Sequence, residues 1–167
     1  MVNSTHLKKI DFNGDVYIRN VYLPNNVTAL HDCFRGITNL ESIDAESLYI
    51  NYNAFYDCTN FRGLNSDGGF ADLKVSQSTE NLSNAFYNTS VDINFVSNFY
   101  KTAIPSYNSV TNISSMFSRT NIIFGQDDYI NRITNGNFVS PINPSVLNKV
   151  KNASYLYWNT GLKVHFK

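Results

Sequence analysis

Few residues in this chain are of a type that does chemistry, and their spacing is unhelpful to it. His6, His31 and His165 are scattered without ligand partners nearby, so no metal site is expected. Cys33 and Cys58 are the only two cysteines, too few for a disulfide framework. They occupy neighbouring points of similar segments, so a bridge is conceivable, but two buried thiols filling apolar slots is the favoured reading. Asp127-Asp128 would suit a cation or a carbohydrate-active site, but a solvated loop apex is the favoured reading. Asp11-Phe12-Asn13-Gly14-Asp15 begins like a calcium loop, yet the later ligands are missing. No nucleophile elbow, phosphate loop, paired-histidine zinc motif or C-x-x-C occurs. The expectation is a protein that is not an enzyme and needs no cofactor.

Binding is then the function to look for. Thirteen basic residues balance thirteen acidic ones, which argues against nucleic acid as a partner. No apolar run is long enough to span a membrane, and residues 1–12 lack a signal peptide's apolar core. Charged residues make up only 16% of the chain and Asn is over-used, which favours tight turns and left-handed backbone.

The elements that would position a binding surface come from an internal repeat. Val110-Thr111-Asn112-Ile113-Ser114-Ser115-Met116-Phe117 returns around Leu82 and Phe86, around Ala153 and Tyr157, around Leu30 and Phe34, and, worn, at Ala54-Phe55. The anchors Phe34, Phe55, Phe86, Phe117 and Tyr157 lie 21, 31, 31 and 40 residues apart, as in a unit of twenty-odd residues carrying insertions. The longest insertion runs from 125 to 145. Val27, Leu30 and Phe34 recur at helical spacing, while Val21-Tyr22-Leu23, Leu40-x-x-Ile43-x-Ala45 and Leu73-Lys74-Val75 read as short strands. Ahead of them, Asn13-Gly14 between apolar runs predicts a β-hairpin over 6–23.

Leu23-Pro24-Asn25-Asn26-Val27-Thr28-Ala29-Leu30 with Cys33-Phe34 and Thr38-Asn39-Leu40-Glu41-Ser42-Ile43 resembles the BspA-type leucine-rich repeat. Ala54-Phe55-Tyr56-Asp57-Cys58-Thr59-Asn60-Phe61 resembles its second half, and the segment from Val110 is similar to a sister repeat of bacterial surface lipoproteins. The resemblance implies adhesion and surface recognition rather than catalysis. The fold expected is therefore α/β: a leucine-rich-repeat-like right-handed solenoid of about five irregular coils. Residues 1–23 would form its hairpin cap and 24–167 the degenerate solenoid, one domain overall.

On that fold the outward strand positions Glu41, Asp44, Arg62, Lys74, Asp92, Asn94, Lys163 and His165 would align as a ligand-binding face. Tyr49, Tyr52, Tyr87, Tyr100 and Tyr107 would add amphipathic contacts, some of them buried. Leu162, Val164 and Phe166 would make an uncapped C-terminal docking edge, through which the chain forms homo- or hetero-oligomers. The expected function is recognition of a protein or glycan on a cell surface. The alternative is a structural virion or assembly subunit, such as a bacteriophage tail or head-decoration component, docked on other virion proteins. Location is accordingly extracellular, cell-surface or virion. Sequons at Asn26, Asn81, Asn88, Asn112 and Asn152 recur because the repeat does.

Overall fold

The computed structural model describes residues 17–23, 32–120 and 148–160. Its regular elements are few: β1 (Asn20–Tyr22), β2 (Ser42–Asp44), β3 (Leu48–Tyr49), β4 (Leu73–Lys74) and α1 (Ile93–Thr102). β1 pairs in parallel with β2, Val21 opposite Ile43, and β3 in parallel with β4, Leu48 opposite Leu73. The three short strands expected near residues 22, 43 and 74 thus form.

The expected fold class does not. Among the described residues there is one α-helix and two two-stranded parallel sheets, not a leucine-rich-repeat-like right-handed solenoid of α/β coils. The hairpin expected over 6–23 falls, up to residue 16, outside the described residues. The physical reason for the correction lies in the repeated motif. Its apolar spacing suggested a helix, but the described copies are tight turns, at 32–36, 53–57, 84–88, 115–119 and 155–159.

Each of these five turns opens and closes on a left-handed residue. Asn53 and Asp57 have φ of 54° and 60°, Asn84 and Asn88 of 55° and 53°, and Tyr155 and Asn159 of 57° and 54°. A left-handed residue interrupts the α-helical ladder, and Asn and Asp tolerate that conformation better than most side chains. Hydrogen bonds inside a turn span three residues, as from Tyr87 N–H to the Asn84 carbonyl (3.1 Å). The remaining N–H groups leave the turn altogether. Asn84, Phe86 and Asn88 donate to the carbonyls of Ser114, Met116 and Ser118, and Ser115, Phe117 and Arg119 to those of Ser154, Leu156 and Trp158, all at 2.8–3.0 Å.

Register in the backbone becomes register in the core. Phe34, Phe55, Phe86 and Phe117 stack with centroids 5.3–5.6 Å apart, and Tyr157 follows at 6.0 Å. All four phenylalanines are fully buried. The anchors read from the sequence therefore share one aromatic column, although the chain between them is not the helix expected. Asn side chains make a second ladder alongside: Asn84 Nδ2 donates to Asn53 Oδ1 (3.1 Å) and Asn88 Nδ2 to Asp57 Oδ1 (2.9 Å).

The Asn-x-Ser triplets have a structural job as well. The carboxamide oxygens of Asn81, Asn112 and Asn152 accept the N–H of Ser83, Ser114 and Ser154 at 2.9–3.1 Å, an Asx turn set before each tight turn. After the turn, Thr89, Thr120 and Thr160 donate their hydroxyls to the carbonyls of Phe86, Phe117 and Tyr157 at 2.8–3.0 Å.

Among the described residues, helix α1 is the one interruption that folds into an element of its own. Asp92 caps it, accepting the N–H of Phe95 at 2.9 Å. Phe95 and Phe99 meet Phe86 edge-on at 5.1 Å, and Tyr100 meets Phe117 at 5.9 Å. Gly63, at φ +77°, makes room for this packing, since a Cβ there would lie 2.1 Å from the Phe95 ring.

Candidate functional site

Among the described residues, polar side chains converge where β1, β2 and the chain around residues 60–68 meet. An open cleft of about 660 Å³ is lined there by Asn20, Glu41, Asn60, Arg62, Ser66 and their neighbours. Its floor is preset by the backbone: Ser42 Oγ donates to Asn20 Oδ1 (2.7 Å), and Ile43 N–H to the Leu64 carbonyl (3.0 Å). Asp44 closes one side, its Oδ1 accepting both the N–H (3.1 Å) and the hydroxyl (2.8 Å) of Ser66. Glu41 stands 3.8 Å from Arg19 at the rim, both exposed. Arg62 is exposed and makes no ion pair among the described residues. The cleft thus offers a guanidinium, a carboxylate, amides and hydroxyls, with no nucleophile set against a base. Such a set can hold a ligand by hydrogen bonds and charge.

Glu41 and Arg62 are the two expected face residues that this cleft brings together. Asp44 lines an adjoining cleft of about 320 Å³ with Tyr22 and Phe70, whose rings are 71% and 39% exposed. The buried Asp44 Oδ2 has no hydrogen-bond partner. Lys74 lines a third cleft, beside Tyr49, and holds Asp72 at 2.8 Å. Partial burial pushes the Asp72 carboxyl up, but hydrogen bonds from Lys74 and the Ser47 N–H, with the lysine charge, outweigh it and leave the pKa below the ordinary value.

Asp92 and Asn94 do not sit on a strand face at all. Asp92 is spent as the cap of α1, and Asn94 lies on the exposed side of that helix. Lys163 and His165, the docking residues Leu162, Val164 and Phe166, and also His6, His31, Asp127 and Asp128, lie outside the described residues. Of the tyrosines, Tyr100 is buried, Tyr87 stacks on Tyr56 at 4.6 Å, Tyr49 and Tyr52 are half-buried and Tyr107 is exposed.

Cys33 and Cys58 are buried and not joined by a disulfide. Cys58 Sγ donates to the Phe34 carbonyl (2.6 Å), and burial pushes its pKa up to about 12, so it is no thiolate nucleophile at neutral pH. Among the described residues no group of three His, Cys, Asp or Glu stands close enough to hold a metal ion, and no helix is long and apolar enough to cross a membrane.

Asn20, Asn60 and Ser66 were missed from the sequence. The first opens β1, the second lies in the worn repeat at 54–61, and the third lies in a connection with no periodicity. The one available signal was the 22-residue offset that sets Asn20 opposite Ser42. Compared with known proteins, the chain matches no family model, no curated protein and no solved structure.

Proposed function

We propose that this protein is a non-enzymatic recognition module that binds a protein or glycan surface through the polar cleft between Glu41 and Arg62. The observation that supports this reading is the shared cleft itself. Two side chains of opposite charge, 21 residues apart in sequence, flank amides and hydroxyls whose backbones are tied by parallel hydrogen bonds. A surface held in place before the ligand arrives loses little conformational entropy on binding. The open, shallow form suits an extended surface better than an engulfed small molecule.

The test is retention from a host-surface extract and on a glycan array, comparing the native chain with Arg62→Ala and Glu41→Ala. Removing the guanidinium should weaken binding about tenfold or more, the worth of one charge-assisted hydrogen bond. Equal retention by all three proteins would rule the cleft out.

A second reading, an assembly subunit such as a virion component, draws support from a different place. The turn at 155–159 carries exposed aromatic side chains and is the last of the described turns in the stack.

A further inference from the structure

Every junction between the stacked turns has the same direction. N–H groups of one turn donate to carbonyls of the turn that follows it in sequence, from 32–36 through to 155–159. In the fourth turn the donors are Ile113, Ser115, Phe117 and Arg119. Their counterparts in the fifth are Ala153, Tyr155, Tyr157 and Asn159, and among the described residues these four N–H groups have no acceptor. A row of backbone donors facing outward is an unfinished ladder, as costly to bury and as ready to pair as a sheet edge.

The side chains around that row say what fits it. Tyr155 is 69% and Trp158 53% exposed, and the Tyr157 ring rests against Phe117. Lys149 and Lys151 are exposed, and residues 148–160 contain no Asp or Glu, so this edge is basic in a chain of zero net charge. Carbonyls at every second residue, spaced to match, are offered by another length of polypeptide in the same turn. The opposite end of the stack does not offer a second copy the same open row, because Cys33, which stands where Ala54 and Ala85 accept, is 2% exposed.

We propose that the edge formed by Ala153, Tyr155, Tyr157 and Asn159 docks an acidic polypeptide segment of a partner protein, which accepts these four N–H groups and adds a further turn to the stack. The site is independent of the Glu41–Arg62 cleft. The segment's carboxylate meets Lys151, and its apolar side chain covers Tyr157 as each ring of the column covers the next.

The only tryptophan of the chain, Trp158, reports on the site. The probe is a capped peptide with the sequence of residues 79–90, whose Glu80 aligns with Thr111 and Lys151 through the Asn81–Asn112–Asn152 bridges. Titrated into the full chain, it should shift Trp158 emission to the blue, saturate, and protect the four amides from hydrogen exchange. Lys151→Glu should weaken it about tenfold, and a Glu80→Lys peptide should bind that variant better than it binds the native chain. No emission change up to millimolar peptide would overturn the proposal, as would binding that leaves the four amides unprotected. Self-association of the peptide-free chain with those amides protected would assign the edge to a second copy and overturn it too.

Discussion

The turns at 84–88 and 155–159 share a backbone and differ in company. Both begin and end on left-handed residues, both follow an Asn-x-Ser Asx turn, and both place an aromatic ring in the same column. The inner one lies between two neighbours, with Phe86 stacked on Phe55 and Phe117 and braced by Phe95 and Phe99. The outer one has a neighbour on one side among the described residues, and Tyr155 and Trp158 face solvent. The motif alone therefore specifies the shape of a turn, while its neighbours supply the burial. That is the behaviour expected where a short segment cannot cover its own apolar face.

The sharpest way to break the comparison is at the rings. Phe86→Ala should cost about 4 kcal/mol, since the surrounding rings are too constrained to fill the void, whereas Trp158→Ala should cost less than about 1 kcal/mol. Chemical denaturation of both variants measures the difference, and equal losses would mean the outer turn is as well packed as the inner one.

High pH comes next. Burial pushes the Tyr157 hydroxyl and the Cys58 thiol each up to about 12, and the fully buried Tyr100 well above its ordinary value. A folded-state pKa above the unfolded one means that folding disfavours the ionised form. The stability from these groups is thus complete below about pH 9 and is lost as pH rises towards 12, where the unfolded chain gives up its protons first. Denaturation midpoints from pH 8 upward should fall, and Tyr157→Phe and Cys58→Ser together should flatten the fall.

The smallest effect is at the turn ends. Asn88→Ala loses both a side chain suited to φ 53° and the bond to Asp57, about 2 kcal/mol, whereas Asn159→Ala loses only the former, about 1 kcal/mol. Asn88→Gly, which restores the backbone freedom, should recover about half.

The sequence showed more of the core than of the chain path. The column anchors, the short strands β1, β2 and β4, and the meaning of the abundant Asn could be read, because each depends on side-chain type at a regular interval. Helix and turn could not be separated, since apolar residues three and four apart occur in both. What decides between them is the φ of Asn84 or Ser115, a backbone property, and Ser and Asn are common enough elsewhere to hide it. Val91, Ile93 and Phe95 alternate like a strand, but Ile93 and Phe95 lie in the first turn of α1, because the Asp92 carboxylate starts a helix that seats Phe95, Phe99 and Tyr100 against the column. At the site, Glu41 and Arg62 were legible as outward charges. Asp92 was not legible as a cap, because its neighbours mimic a strand.

The Asx turns at Asn81, Asn112 and Asn152 bear on how the protein is made. Each coincides with a signal for sugar attachment, and each side chain is occupied in setting up a turn that must stack on a neighbour. A eukaryotic secretory pathway would attach a bulky oligosaccharide there before the chain had closed. Production in a bacterial cytosol, which lacks that machinery, leaves all three turns free to form.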